Sequence, residues 1–351
     1  MVKAKQLPSG SWRVQLYVGK DADGKRLFKS FTAATSEKAE YDAAEYRIAR
    51  KEKSRPENLT VGEAIDRYID TKTNVLSPST IAAYRKIRKN NLATLMPIKL
   101  GELTLDEIQI AVNIEAATHK PKTVRNQHGL LTAALAQYHP SFSVKNIKLP
   151  QRVKTEIMVP EQGMIDGLMA NVRGKRLELP IILAACMGLR RSEICALVGS
   201  DYDPAKQTLH VRRAKVLNED RLWVIKATKS YSGTRLLRVP DGVAPYIAKA
   251  AHGNKPLVSM SPTEVSVSFA RLKHRLGFSV RFHDLRHYYA SVLLALGVPD
   301  KYAMEVMGHA TPSMLKTVYQ HTMADKRNEI AEQINARMNL VIQHEIQHEH
   351  V

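Results

Sequence analysis

The sequence predicts a multidomain, mainly α-helical protein: a small N-terminal β-sheet-plus-helix domain (1–55), a helical middle domain (58–145) and an α+β C-terminal domain (153–351). Three observations predict it. Two alternating runs precede a helical run in residues 1–55, residues 60–139 show helical periodicity only, and three alternating segments interrupt the helices beyond residue 155. A chain of 351 residues is also too long for one ordinary core, and its 44% hydrophobic content can fill several.

In the first part, "WRVQLYV" and "RLFKSF" alternate on either side of "DADGK", whose Asp-Gly pair is a hairpin signal. A three-stranded sheet is expected there, followed by a helix over "TSEKAEYDAAEYRIARKEK" capped by Thr35 or Ser36. Arg13, Lys25, Arg26 and Lys29 give the strands a basic face, which suits either DNA contact or a solvated hairpin. The polar "SRPEN" (54–58) reads as a linker.

Four helices follow: "TVGEAIDRYIDTK", "SPSTIAAYRKIRKNNLATL" with its Ser-Pro start, "TLDEIQIAVNIEA" and "KPKTVRNQHGLLTAALAQY". Two of them carry basic clusters, Arg85, Lys86, Arg88 and Lys89, then Lys120, Lys122 and Arg125; in so basic a chain these point to DNA backbone contact. After the connector 145–156, "LELPIILAACMGLRRSEICALVGSDYD" reads as helix, turn, helix. "QTLHVRRAKV", "RLWVIKATK" and "TRLLRVP" then predict one small antiparallel sheet.

Charge narrows the partner class. There are 53 Lys and Arg against 34 Asp and Glu, a formal net charge of +19, and the sequence pI is near 9.8. Such a field favours a polyanion, nucleic acid first. Two cysteines, Cys186 and Cys195, make no disulfide framework and suit a reducing compartment. The N-terminus has no signal-type apolar run, and nothing approaches the roughly 18 apolar residues of a membrane span. A cytoplasmic protein without a membrane partner is expected.

The chemistry lies in "RFHDLRHYYASVLLALGVP", residues 281–299. Helical spacing puts residues 285, 288, 289, 292, 293 and 296 on one apolar stripe, with His283 and Arg286 off it in the first turn as a surface cationic pair. A helix N-terminus favours anions. An isolated His-x-x-Arg means little, but this one belongs to an ordered series. "GLRRSEICAL" sets Arg190 after a glycine turn. "IKATKSYSGTRLLRVP" sets Lys229 in a hairpin between two strands. "MEVMGHATPSMLKTVYQH" supplies His309 and then Tyr319.

This series resembles the tyrosine recombinases, the phage-type and conjugative-transposon integrases, over about residues 155–325; the three-part layout extends the resemblance to the N-terminus. Lys226 and Lys229 both match the family's hairpin lysine, and Lys229, nearer the turn, is assigned. The resemblance implies an arm-type DNA-binding domain, a core-binding domain and a catalytic domain. It implies that Arg190, Arg286 and His309 stabilise a phosphodiester under attack by Tyr319, that Lys229 protonates the leaving 5′ oxygen and that His283 handles protons. Glu193, in the "RxxE" slot, would orient the site. Double-stranded attachment sites and a homotetramer on DNA are the implied partners, with a host DNA-bending protein and an excisionase as candidate accessories.

Chemically the set is self-sufficient. Arginine forks match phosphate oxygens, and a phenol with pKa ~10 needs neighbouring cations or a base to attack. Neither a P-loop nor an acidic metal cluster is visible, so no cofactor and no metal are expected. "HEIQH" (His344 to His348) matches a zinc-helix pattern but sits in a repetitive tail with no third ligand. The helical pattern Ile330, Ile334, Met338, Val341 suits docking on a neighbouring protomer or folding back in cis. The same catalytic set would serve a type IB topoisomerase, and the fold alone would serve a non-catalytic DNA-binding regulator.

Overall fold

The structure, a computed structural model, describes residues 3–20, 25–53, 58–153, 158–227 and 233–308. It divides into two compact units, Met1–Leu76 with Ala83–Val153, and Ser77–Ala82 with Lys154–Val351. Among the described residues no helix is long and apolar enough to cross a membrane.

The first unit opens with an antiparallel sheet, β1 (Lys5–Gln6), β2 (Trp12–Lys20) and β3 (Arg26–Ala33), covered by α1 (Ser36–Lys53). Thr35 Oγ1 accepts from the Lys38 N–H at 3.3 Å, which decides the helix start. Strand alternation sends Val14 onto Ala39 and Ala43, with Trp12, Phe31 and Ala33 beside them. On the opposite, open face Arg13 pairs in register with Thr32, and the exposed rings of Tyr17 and Phe28 meet edge-on at 5.6 Å. Arg26 shares strand parity with Phe28, but Lys29 shares it with Phe31 and lies 4.1 Å over the Tyr46 ring of α1. The four strand cations therefore do not form one basic face, because period-two alternation sends Lys29 to the helix side.

Four helices follow in the chain: α2 (Val61–Lys72), α3 (Pro78–Asn90), α4 (Leu105–Thr118) and α5 (Pro121–Tyr138). Thr60 with Glu63 and Thr104 with Glu107 form reciprocal caps that start α2 and α4. Buried Glu115 of α4 accepts from Leu92 N at 2.7 Å, Asn91 Nδ2 at 2.9 Å and Gln127 Nε2 at 2.9 Å, tying α4 to the end of α3 and to α5.

The second unit is built around α7 (Glu178–Met187), which is apolar almost all round, as a helix enclosed on every side must be. Around it run α6 (Gln162–Val172), the short α8 (Arg191–Ile194), α9 (Ala244–Ala250), α10 (Pro262–Arg275), α11 (Asp284–Ala295) and α12 (Asp300–Met307). The strands are β4 (Tyr202–Asp203), β5 (Thr208–Val211), β6 (Arg213–Leu217), β7 (Trp223–Ala227) and β8 (Arg235–Arg238). They form two sheets, β4-β5-β8 and the β6-β7 hairpin, where the sequence predicts one. Arg212 and Arg213 both turn to buried Asp201, at 3.1 and 2.6 Å, and that grip breaks "QTLHVRRAKV" into strands of different sheets. Among the described residues β7 and β8 belong to different sheets and do not pair.

Gly199 marks a crowded crossing: a Cβ there would lie 2.5 Å from His252 N and 2.7 Å from Gly253 O, both backbone atoms. Gly199→Ala is expected to destabilise the second unit by about 1–3 kcal/mol. An unchanged thermal unfolding transition would show that the 252–253 backbone yields.

Candidate active site

The site begins where α7 ends. Gly188 adopts the left-handed conformation (φ 65°) as the C-cap, and a Cβ there would collide with Tyr289 and Met307. Two residues on, Arg190 is the N-cap of α8. Glu193, in the first turn of α8, accepts from the Arg190 backbone N–H at 2.9 Å and from its Nη1 at 2.7 Å. The sequence therefore folds "GLRRSE" into a device that aims a guanidinium.

Glu193 is 2% exposed and takes a second guanidinium from β8: Arg235 donates to both its oxygens, Nη2 at 2.9 Å and Nη1 at 3.3 Å. Burial pushes the Glu193 carboxyl upward, but the Arg235 hydrogen bond and charge, with Arg190, outweigh it and hold the pKa at about 2. Arg235 further donates from Nε to the Val306 carbonyl at 2.8 Å.

From α11 come His283 and Arg286. Arg286 is 1% exposed, and its two Nη atoms donate to the Gly188 and Met307 carbonyls. Burial, with Arg190 adding repulsion, pushes its pKa down to about 9, so it remains charged at neutral pH. This corrects the surface placement expected for it: the buried positions of α11 include 285, 286, 290 and 293, while Leu296 of the expected stripe is 74% exposed. His283, the N-cap of α11, stays at the surface. Desolvation of the ring, then His287 (ring centroids 5.0 Å apart) and Arg286, push it down to about 4, so the imidazole is neutral at pH 7.

Arg190 and His283 open onto a cleft of about 390 Å³ that Arg191, Ser192, Ser266, Arg281 and Phe282 also line. Arg281 is held by buried Asp284, Nη2 to Oδ1 at 2.8 Å, and Arg191 by Ser266. A pocket with guanidiniums on several walls and a neutral imidazole at its edge can hold a phosphodiester and manage a proton beside it. Among the described residues, no group of His, Cys, Asp and Glu could hold a metal ion.

Arg190, Glu193, His283 and Arg286 are thus brought together. Lys229, His309 and Tyr319, with Ile330 to Val341 and His344 to His348, lie outside the described residues. Lys226 is on β7, opposite Ala214. Sequence reasoning missed Arg191, Arg235 and Arg281. Arg235 did leave a signal: in "RLLR" it alternates with exposed Leu236 and shares its side with buried Leu237, so it is an inward strand residue in need of a buried acid.

The proposed DNA contacts differ in how far they are committed. Arg85 pairs with Asp70 at 2.5 Å and Asp66 at 3.4 Å, Arg88 with Asp66 at 3.0 Å, and Arg125 forks onto the Pro150 carbonyl at 2.8 and 3.1 Å. Lys86, Lys89, Lys122 and Arg26 are exposed, as are Lys25, which has a partner, and Arg13, whose Nε donates to Thr32 Oγ1 at 3.3 Å.

Glu193→Gln keeps the shape and removes the charge; stripping one partner from a buried pair costs about 3 kcal/mol. Because the folded pKa is depressed, the ionic contribution is complete above pH 4.5 and disappears as pH falls toward about 2. Denaturant unfolding should show a stability gap between wild type and variant that is widest at pH 7 and narrows below pH 4.5, closing only at about pH 2. An equal gap at both extremes would show that Glu193 is not ionised.

The family model for the phage integrase family matches residues 164–326. A tyrosine recombinase XerC-like protein of Caldanaerobacter subterraneus subsp. tengcongensis is 22% identical, over 92% of this chain and 95% of its own. Among solved structures, the Tn1549 transposon integrase in complex with transposon right end DNA is similar with a TM-score of 0.64 at 18% identity, over 79% of this chain and 100% of that one. A lambda integrase tetramer bound to a Holliday junction is similar with a TM-score of 0.56 at 16% identity, over 90% of this chain and 94% of that one. Arg190, Glu193, His283 and Arg286 all lie inside the matched residues 164–326, which carry a phage integrase family domain.

Proposed function

We propose that the chain is a site-specific DNA recombinase, an integrase that cuts and rejoins attachment sites through a covalent 3′-phosphotyrosyl intermediate. One observation carries the reading: Arg190 and Arg286 converge beside His283, and both hold the turn from which the chain passes to His309 and Tyr319. In the first step the Tyr319 oxygen attacks phosphorus, the bond to the 5′ oxygen breaks, and Lys229 supplies the proton that leaves a 5′-hydroxyl. The phenolic proton passes to a base, the role that the family resemblance implies for His283. Arg190 and Arg286, with His309, stabilise the charge on the non-bridging oxygens; losing one such donor typically costs ~2.7–4 kcal/mol of barrier. A 5′-hydroxyl of the partner strand then attacks the phosphotyrosine and restores the diester.

The exposed Arg13 and Arg26 beside Tyr17 and Phe28 support an arm-type DNA contact for residues 1–55, and Lys86, Lys89 and Lys122 support core-site contact for residues 58–145. Assembly as a tetramer through a Holliday junction is proposed on the likeness to lambda integrase, whose tetramer binds such a junction. A host bending protein and an excisionase would act with it, in the cytoplasm where the DNA is.

Incubation with a nicked core duplex should give a covalent protein–DNA product that Tyr319→Phe reduces below detection while duplex binding stays near wild type; product mapped to Tyr288 or Tyr302 would overturn the assignment. All groups given a role are guanidinium, imidazole, ammonium or phenol. The covalent product should therefore form in excess chelator and without nucleotide, and loss restored only by one specific metal would refute this mechanism.

A further inference from the structure

Three guanidiniums close on one turn of backbone. Arg235 Nε donates to the Val306 carbonyl at 2.8 Å, Arg286 Nη2 to the Met307 carbonyl, and Arg190 Nη2 to the Gly308 carbonyl at 2.6 Å. These carbonyls end α12, where the helix leaves acceptors unpaired and its dipole is negative. His309 is the next residue, and Tyr319 follows on the same stretch.

Arg190 and Arg286 have roles in the proposed reaction, and Arg235 has none. It is 6% exposed and enters from β8, opposite Val211 in register. Its planar fork meets Glu193 on one side while Nε meets Val306 on the other. A buried arginine needed only for charge balance would be satisfied by Glu193. The bond to Val306, beside carbonyls held by the two other arginines, gives it a second task.

We infer that Arg235 is a positioning residue for strand cleavage: it fixes the terminal turn of α12 against Glu193, and so against Arg190, setting the point from which His309 and Tyr319 enter the site. The inference rests on the recombinase reading. Lysine cannot replace it, because one ammonium on a flexible stem cannot span two elements as a rigid fork does.

The test is single-turnover cleavage of a nicked core duplex, whose sequence is recovered by binding selection with the wild-type protein. Arg235→Lys and Arg235→Gln are compared with wild type well below their melting temperatures. The amplitude of covalent product reports the folded fraction, and the rate constant reports the geometry. Both variants are expected to bind duplex as wild type does and to cleave about 100-fold more slowly, the scale of a 1 Å misplacement. A reduced amplitude with an unchanged rate constant would make Arg235 a structural contact and overturn the inference. So would loss of the fold in both variants. Absence of covalent product from wild type, or its persistence in Tyr319→Phe, would instead overturn the recombinase reading itself.

Discussion

The catalytic unit depends on one buried carboxylate. Glu193 stands between Arg190 and Arg235, almost wholly removed from water, and its burial is tolerable only because both guanidiniums are in place. The dependence is mutual: without Glu193, Arg235 would be a buried cation beside β5, and Arg190 would lose the acid that aims it. Through these contacts a single charge couples the first turn of α8, the strand β8 and the end of α12, elements far apart in sequence.

Gly188 makes the complementary constraint. Its left-handed turn frees a carbonyl for Arg286 and leaves room for the Tyr289 ring and Met307 where a side chain would otherwise be. The glycine before "LRRSE" thus serves two arginines at once: it sets the approach of Arg190 and accepts the fork of Arg286. Local turn chemistry and long-range packing ask for the same residue.

Much of this was legible in the sequence because the chemistry sits on short local motifs. Arg190, Glu193, His283 and Arg286 lie at helix starts, where cap patterns and spacing are strong signals, and the four helices of residues 61–138 follow from their periodicity and caps. What failed to show is what depends on distant partners. The stripe on α11 was misread because Arg286, a cation, occupies a core position through carbonyls contributed by α7 and α12. The strands split into two sheets because Asp201, upstream of them, captures Arg212 and Arg213. Arg85, Arg88 and Arg125 belong to basic clusters in sequence, yet an acid or carbonyl from another element engages each of them.

The use of carbonyls as partners has a consequence for charge balance. Arg190, Arg235 and Arg286 are compensated by one carboxylate and by neutral dipoles of the α12 terminus, so the cluster keeps two of its three positive charges. Had acids satisfied all three guanidiniums, the site would hold no attraction for a phosphodiester. Backbone acceptors restrain the guanidiniums without discharging them. The surplus matches the second negative charge that a phosphodiester gains when an anionic nucleophile adds to it, so the field of the folded chain suits the reacting phosphate better than the resting one.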